Sequence, residues 1–219
     1  MTPVDAVMFA EGTKALADRD PVIAALVEQT GPIDFVPQPE SNFAALVRAI
    51  TYQQLAGPAA RAIYGRLEAL LENDVVPERL ARASVTDLRA VGLSGAKAAS
   101  IADLTAKVRA GTVPLDDETI AGLGDDEILA NLVTVRGIGP WTAEIFLMIH
   151  LGRPDVLPAG DLGIRKGYGL AWKVPTPTEK ALLLLGEPYR PYRSVLSWYC
   201  WRAAELYAGS TASAVAGDA

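Results

Sequence analysis

The sequence predicts an all-α fold, and three observations predict it. Apolar residues recur at three- and four-residue spacing, no stretch sustains the alternation of a half-buried strand, and the turn residues punctuate helix ends rather than hairpins between β-branched runs. Phe43, Leu46, Val47 and Ile50 fall on one helical face; Ile63, Leu67, Leu70 and Leu71 repeat the pattern, as do Ile101, Leu104 and Val108. Asp20 before Pro21 supplies a cap and a first-turn proline, Ser41 precedes the Phe43 helix, and Gly57-Pro58 opens the next. Ser84 and Asp87 are spaced as a capping box, with Asp where Glu or Gln is usual. Gly92, Gly111, Gly124 and Gly152 stand where helices should stop. About ten helices with short connections follow from these signals.

A chain of 219 residues buries roughly 70% of its unfolded surface, enough for one large domain or two small ones. Half its residues are hydrophobic, which excludes a mostly disordered chain. The greasiest run, 145–151, is far shorter than a bilayer helix and contains His150. Asp5, Glu11, Asp18 and Asp20 occupy the region where a signal peptide needs an apolar core, so a cytoplasmic protein with no membrane partner is expected. The single cysteine, Cys200, excludes an intrachain disulfide, a zinc–cysteine cluster and a four-cysteine iron–sulfur cluster. A formal net charge of −6 argues against nucleic acid held by bulk charge. Glycine and proline accumulate between 151 and 168, the expected domain junction. Residues 43–150 are expected to form one helical bundle, and 1–42 with 151–208 a second built from both chain ends. The small, polar stretch 209–219 is expected to be a disordered tail.

The most informative segment is Val135-Arg136-Gly137-Ile138-Gly139-Pro140-Trp141-Thr142-Ala143, with a helix expected over 126–133 before it and one over 140–151 after it. Two glycines flanking one aliphatic residue permit a tight turn with close backbone approach to a ligand, while Ile138 plugs the gap between the helices. Pro140 starts the second helix, so amides around Gly137 and Gly139 can hold a phosphate without a lysine. This pattern is a helix-hairpin-helix element.

Five segments in order carry a wider resemblance: 16–21 (Leu-Ala-Asp-Arg-Asp-Pro), 47–54 (Val-Arg-Ala-Ile-Thr-Tyr-Gln-Gln), 92–97 (Gly-Leu-Ser-Gly-Ala-Lys), 136–164, and 190–201 from Arg190-Pro191-Tyr192 to Trp201. The chain resembles the helix-hairpin-helix superfamily of DNA glycosylases, and within it the 3-methyladenine DNA glycosylase II (AlkA-type) branch. The resemblance implies two helical subdomains with an active-site cleft between them. It also implies excision of alkylated purines such as 3-methyladenine or 7-methylguanine from duplex DNA, in base excision repair.

Asp161, in the loop Pro158-Ala159-Gly160-Asp161, matches the family's catalytic aspartate. A fixed carboxylate stabilises the positive charge that builds on the sugar as the N-glycosidic bond breaks, and it can orient or deprotonate the attacking water. Asp161 also stands where it would cap a helix beginning at Leu162. Bifunctional relatives that also cut the strand carry a Schiff-base lysine where this chain has Trp141, and no lysine occurs between Lys107 and Lys166. The resemblance therefore implies a monofunctional enzyme, and the missing cysteine cluster separates it from the iron–sulfur branch.

Trp141 and Trp201 match pocket aromatics, with Tyr52 a further candidate; their faces suit a flipped, cationic base. His150 is expected to pack or cap near its helix end. The family's wedge, which fills the hole left by the flipped nucleotide, falls on Gln54 or its neighbour Leu55, beside Gln53. Ser94, Gly95 and Lys97 are expected to make a second phosphate contact, alongside Gly137, Ile138, Gly139 and Thr142 of the hairpin. On resemblance alone, the backbone carbonyls of Val133, Val135 and Ile138 would hold a monovalent cation, Na+ or K+; no other cofactor is required. The resemblance implies a monomer acting on duplex DNA that contains damaged bases. Two readings compete: the same fold acting on deaminated or mismatched bases, and a non-catalytic helix-hairpin-helix DNA-binding protein.

Overall fold

A computed structural model describes the backbone of residues 3–33 and 40–215, and side chains over 7–33 and 40–207. Among these residues every regular element is helical. In chain order they are α1 (Pro3–Ala17), α2 (Pro21–Thr30), α3 (Asn42–Tyr52), α4 (Gly57–Leu70), α5 (Pro77–Leu80), α6 (Val85–Ala90), α7 (Gly95–Arg109), α8 (Asp117–Gly122), α9 (Asp125–Leu132), α10 (Pro140–Ile145), α11 (Leu162–Ala171), α12 (Glu179–Gly186) and α13 (Arg193–Val215). A π-helical turn, Phe146–His150, continues α10, and a 3-10 turn spans Glu187–Tyr189. Several of the helices are short, α5 with 4 residues and α6, α8 and α10 with 6 each, too few to display a period, which is why the count exceeds the expected ten.

The caps are where the sequence puts them. The Asp20 side chain accepts from the Val22 and Ile23 amides, Ser41 from Ala44, and the Ser84–Asp87 capping box is reciprocal. Each such cap contributes about 1 kcal/mol by satisfying amides that the first helical turn leaves unpaired.

The chain divides into two compact units, Gln38–Phe146 and Met1–Pro37 with Leu147–Ala219. The division falls where α-helical bonding gives way to the π turn, before the glycine- and proline-rich stretch.

In the Gln38–Phe146 unit, Leu46, Val47 and Ile50 of α3, Leu67 of α4 and Ile101 and Leu104 of α7 are buried, as their spacing requires. On α4 the buried face runs through Ala60, Tyr64 and Leu67. Leu67 and Leu71 are buried as expected, whereas Ile63 is only half-buried and Leu70 is exposed, Tyr64 taking the place expected of Ile63. An aromatic ring serves as core here, which a purely aliphatic pattern misses.

In the other unit, Leu16, Ile23, Leu26, Ile164, Leu196 and Tyr199 form the centre of one apolar cluster. Its polar edge is organised by Asp20, whose Oδ2 accepts from the Tyr189 hydroxyl at 2.5 Å and the Trp172 indole at 3.3 Å while Oδ1 caps α2. Trp172 stacks on Tyr168 with centroids 4.3 Å apart. Burial, with the Asp20 carboxylate second, pushes the Tyr189 phenol well above its ordinary range. Gly163 and Gly167, part of the glycine- and proline-rich stretch expected as the domain junction, lie inside α11. Residues 209–215 continue α13 rather than forming a disordered tail: no proline interrupts the helix that Arg193 opens. Residues 216–219 of that stretch lie outside the described ones. No helix of the described residues is long and apolar enough to cross a membrane.

Candidate functional site

The loop that carries Asp161 is fixed by the first two turns of α13. The Arg193 guanidinium grips Asp155 through Nε–Oδ1 at 2.8 Å and Nη2–Oδ2 at 3.0 Å, and Nη2 also donates to the Asp155 carbonyl. The pair is 13% and 21% exposed, dry enough for this bidentate geometry to count. The Ser194 hydroxyl donates to the Arg153 carbonyl at 2.6 Å and accepts from the Val156 amide at 3.0 Å, and Ser197 donates to the Val156 carbonyl. A short irregular segment thereby has its backbone groups satisfied by one helix.

Asp161 ends this loop as the N-cap of α11, with Oδ1 accepting from the Ile164 amide at 2.9 Å. The same oxygen accepts from the Trp201 indole N–H at 3.2 Å. The sequence offers capping and catalysis as two readings of Asp161, and the geometry leaves both open, since a cap fixes the carboxylate in place. Trp201, expected for its aromatic face, also orients the carboxylate through its edge. Gly163 lies against this pair: a Cβ there would stand 3.0 Å from Asp161 Oδ1 and 3.3 Å from Trp201 Cδ1. Trp201→Phe keeps the aromatic face and deletes the donor. It is expected to lower kcat about tenfold with binding of an abasic duplex unchanged, the weight of one hydrogen bond to a charged group. Loss of binding instead would make Trp201 a stacking surface only.

The hairpin lies in the other unit, between α9 and α10. Gly137 has φ +77, and a Cβ there would lie 2.4 Å from Ser100 Oγ, so only glycine fits. Ile138 is buried between the helices and its amide donates to the Val135 carbonyl at 3.1 Å. Gly139 is the N-cap of α10 with Pro140 behind it, and Trp141, one residue on, is 48% exposed.

Three side chains hold this hairpin. Gln53 Nε2 donates to the Gly137 carbonyl at 3.0 Å and to Thr142 Oγ1 at 3.3 Å. Asp103 Oδ2 accepts from the Arg136 amide at 2.7 Å, and Lys107 Nζ donates to both Asp103 and the Thr134 carbonyl. The Arg136 amide, then Lys107, hold the Asp103 carboxyl below its usual range. Gln53 and Thr142, expected at DNA, are here bonded to the hairpin itself.

Gln54 follows with φ +56, a left-handed conformation costing a non-glycine residue roughly 1–3 kcal/mol, and its side chain is exposed like that of Leu55. Lys97 Nζ donates to the Thr51 carbonyl at 2.7 Å, at the end of α3, and burial lowers its pKa. Ser94 and Gly95 open α7 as N-cap and first residue, with Ser94 accepting from the Lys97 amide. Tyr52 meets Tyr64 edge-on at 6.4 Å, with the Arg48 guanidinium 6.0 Å from its ring. His150 is half-buried in the π turn.

Arg193, Asp155, Asp103 and Lys107 escape the sequence reading because partners 27 or more positions apart leave no local signal. The exception is the four-residue spacing of Asp103 and Lys107 on one helix face. Among the described residues no group of three or more His, Cys, Asp or Glu could hold a metal ion.

Comparison with known proteins matches residues 47–191 to the HhH-GPD superfamily base excision DNA repair protein family. DNA-3-methyladenine glycosylase 1 of Schizosaccharomyces pombe is 34% identical over 164 residues, covering 74% of this chain and 72% of its own. The structure of the S. pombe 3-methyladenine DNA glycosylase Mag1 in complex with abasic DNA aligns with a TM-score of 0.78 at 30% identity, over 89% of this chain and 97% of that one. A DNA-3-methyladenine glycosidase from Bacillus halodurans aligns with the same TM-score at 34% identity, over 89% of this chain and 88% of its own. The matched span runs from the Tyr52–Gln54 helix end through the hairpin and the Asp161 loop to the residues before α13. With that arrangement of helices, hairpin and carboxylate loop, the chain belongs to the HhH-GPD superfamily of base excision DNA repair proteins.

Proposed function

We propose that the protein is a monofunctional DNA glycosylase that hydrolyses the N-glycosidic bond of alkylated purines in duplex DNA. The observation that carries this is Asp161, its carboxylate held through Oδ1 by the Ile164 amide and the Trp201 indole at the end of a pinned loop. The names of the relatives, 3-methyladenine DNA glycosylases, support the substrate class.

As the bond to the base lengthens, positive charge grows on the sugar, and a carboxylate already oriented stabilises it without reorganising. The same group orients the attacking water and takes its proton. An alkylated purine is already cationic and departs as a neutral base, so the step needs no strong general acid; the chain's one histidine, His150, has no role in it. Trp201, Trp141 and Tyr52 offer aromatic faces, worth about 1–3 kcal/mol per stacked base. Trp141 cannot form a Schiff base, so the strand stays intact and an abasic site is left.

The hairpin of Gly137, Ile138 and Gly139 grips phosphate through backbone amides. This suits a chain of net charge −6, in which a few placed groups replace bulk charge. Gln54 or Leu55 fills the hole left by the flipped nucleotide. The carbonyls of Val133, Val135 and Ile138 fit a monovalent cation: they are neutral hard donors, and the Ile138 amide occupies one lone pair of the Val135 oxygen. A cation held there would supply positive charge that offsets the phosphate's negative charge. The protein acts as a monomer.

Incubation with methylated, deaminated and undamaged duplexes, with analysis of released bases and of strand integrity, tests the reading. Release of methylpurines from uncut strands is expected. Release of deaminated or mismatched bases alone would overturn the substrate class, and binding without release would overturn the enzyme.

A further inference from the structure

Four polar residues of α7, Lys97, Ser100, Asp103 and Lys107, are spaced by three, three and four positions and so share one face of the helix. Every one of them is engaged with the wedge turn or the hairpin. Lys97 Nζ donates to the Thr51 carbonyl, at the end of the helix that leads into Gln53 and Gln54. Ser100, 5% exposed, packs its hydroxyl against the Gly137 backbone where a Cβ would stand. Asp103 takes the Arg136 amide and Lys107 the Thr134 carbonyl, so their ion pair closes over the start of the turn. Gln53 completes the circuit: it is the C-cap residue of α3, one position before Gln54, and its side chain reaches the Gly137 carbonyl and Thr142.

We propose that this polar stripe, with Gln53 as its coupling residue, is a frame that sets the register between the wedge turn and the phosphate-gripping hairpin. The proposal rests on reading Gln54 and the hairpin as DNA contacts, and it makes Gln53 a positioning residue rather than a contact. A wedge is useful only if it enters the duplex at a fixed distance from the phosphate that is held. A tolerance of about 1 Å is enough to cost such a site much of its effect. Helix α7 spans that distance as a rigid rod, and Lys97, Asp103 and Lys107 of its stripe bond to the Thr51 and Thr134 carbonyls and the Arg136 amide. The α3 end and the hairpin are fixed to the same rod, and Gln53 ties them directly to each other.

The test is a double-mutant cycle read by binding to a duplex carrying a tetrahydrofuran abasic analogue and to the intact duplex. Gln53→Met keeps the length of the side chain and removes the donor. It is expected to weaken binding of the abasic analogue about tenfold, with the melting midpoint near that of the unaltered protein. In a Gln54→Ala background the same substitution is expected to cost less than twofold, because the wedge it positions is gone. Lys107→Met, at the far end of the stripe, is expected to show the same dependence on Gln54. If Gln54→Ala alone binds the abasic analogue as tightly as the unaltered protein, Gln54 is not the wedge, and the frame that positions it falls. If Gln54→Ala weakens binding but Gln53→Met costs nothing, or costs the same factor in both backgrounds, the frame alone is overturned.

Discussion

Replacing Asp161 by Asn is expected to abolish base release while leaving the protein folded and able to bind an abasic duplex. The substitution preserves the structural work of the side chain. Asn is as good an N-cap as Asp, its amide oxygen can accept from Ile164 and Trp201 as Oδ1 does, and the loop behind it stays pinned by Arg193 and Ser194. What is lost is charge. A full negative charge about 4 Å from a developing oxocarbenium is worth about 4 kcal/mol at the effective dielectric of a protein site, roughly a thousandfold in rate. Loss of the acceptor for the water's proton adds to that. Single-turnover release of methylpurine, measured beside a thermal melt, checks both halves. Release within tenfold of the unaltered protein would remove Asp161 from the chemistry, and a collapsed melt would make it a cap alone.

The residues whose role is local were legible in the sequence. Asp20, Ser41 and Ser84 cap helices because capping depends on the next three amides, and all of that information lies within four positions. Gly137-Ile138-Gly139 was legible for a similar reason: a left-handed turn, a buried plug and a helix start are each set by one residue type. Asp161 was legible through its glycine- and proline-rich setting and the resemblance that setting supports. The bonds that aim these groups were not. Trp201 was expected to offer a face, but its N–H at Asp161 depends on where α13 crosses α11, and no spacing encodes that. Lys97 stands out because it opens a helix after Ser94-Gly95, but its bond to the Thr51 carbonyl depends on where α3 ends beside α7, which no spacing encodes. Glycine and proline mark 151–168 as the domain junction because both are poor helix formers. That rule fails where close packing repays the weak propensity, and α11 carries Gly163, Gly167 and Gly169 inside a helix.

Gly167→Ala carries the largest stability effect expected in the protein. A Cβ at that position would stand 1.7 Å from the Cys200 carbonyl oxygen and 2.6 Å from its carbon, so the clash is with the backbone of α13 rather than with a side chain that can turn aside. Relief requires the two helices to part by more than about 1 Å, which opens the apolar cluster that includes Ile164, Tyr168, Leu196 and Cys200. Alanine's better helix propensity returns about 1 kcal/mol, too little to offset an overpacked backbone contact that costs about 3 kcal/mol or more. A net loss of at least 2 kcal/mol lowers the melting midpoint by roughly 4–8 °C in a chain of this size. The displaced α13 also carries Trp201, so the folded fraction of the variant is expected to release base more slowly than the unaltered protein. Gly65→Ala is the control for propensity. Gly65 lies exposed within α4, and a Cβ there meets nothing within 4 Å, so the same substitution should raise stability by up to about 1 kcal/mol. Opposite signs at the two glycines place the cost in the α11–α13 contact. Equal signs would mean that α11 and α13 do not approach so closely, and that the Asp161–Trp201 pair does not depend on that glycine.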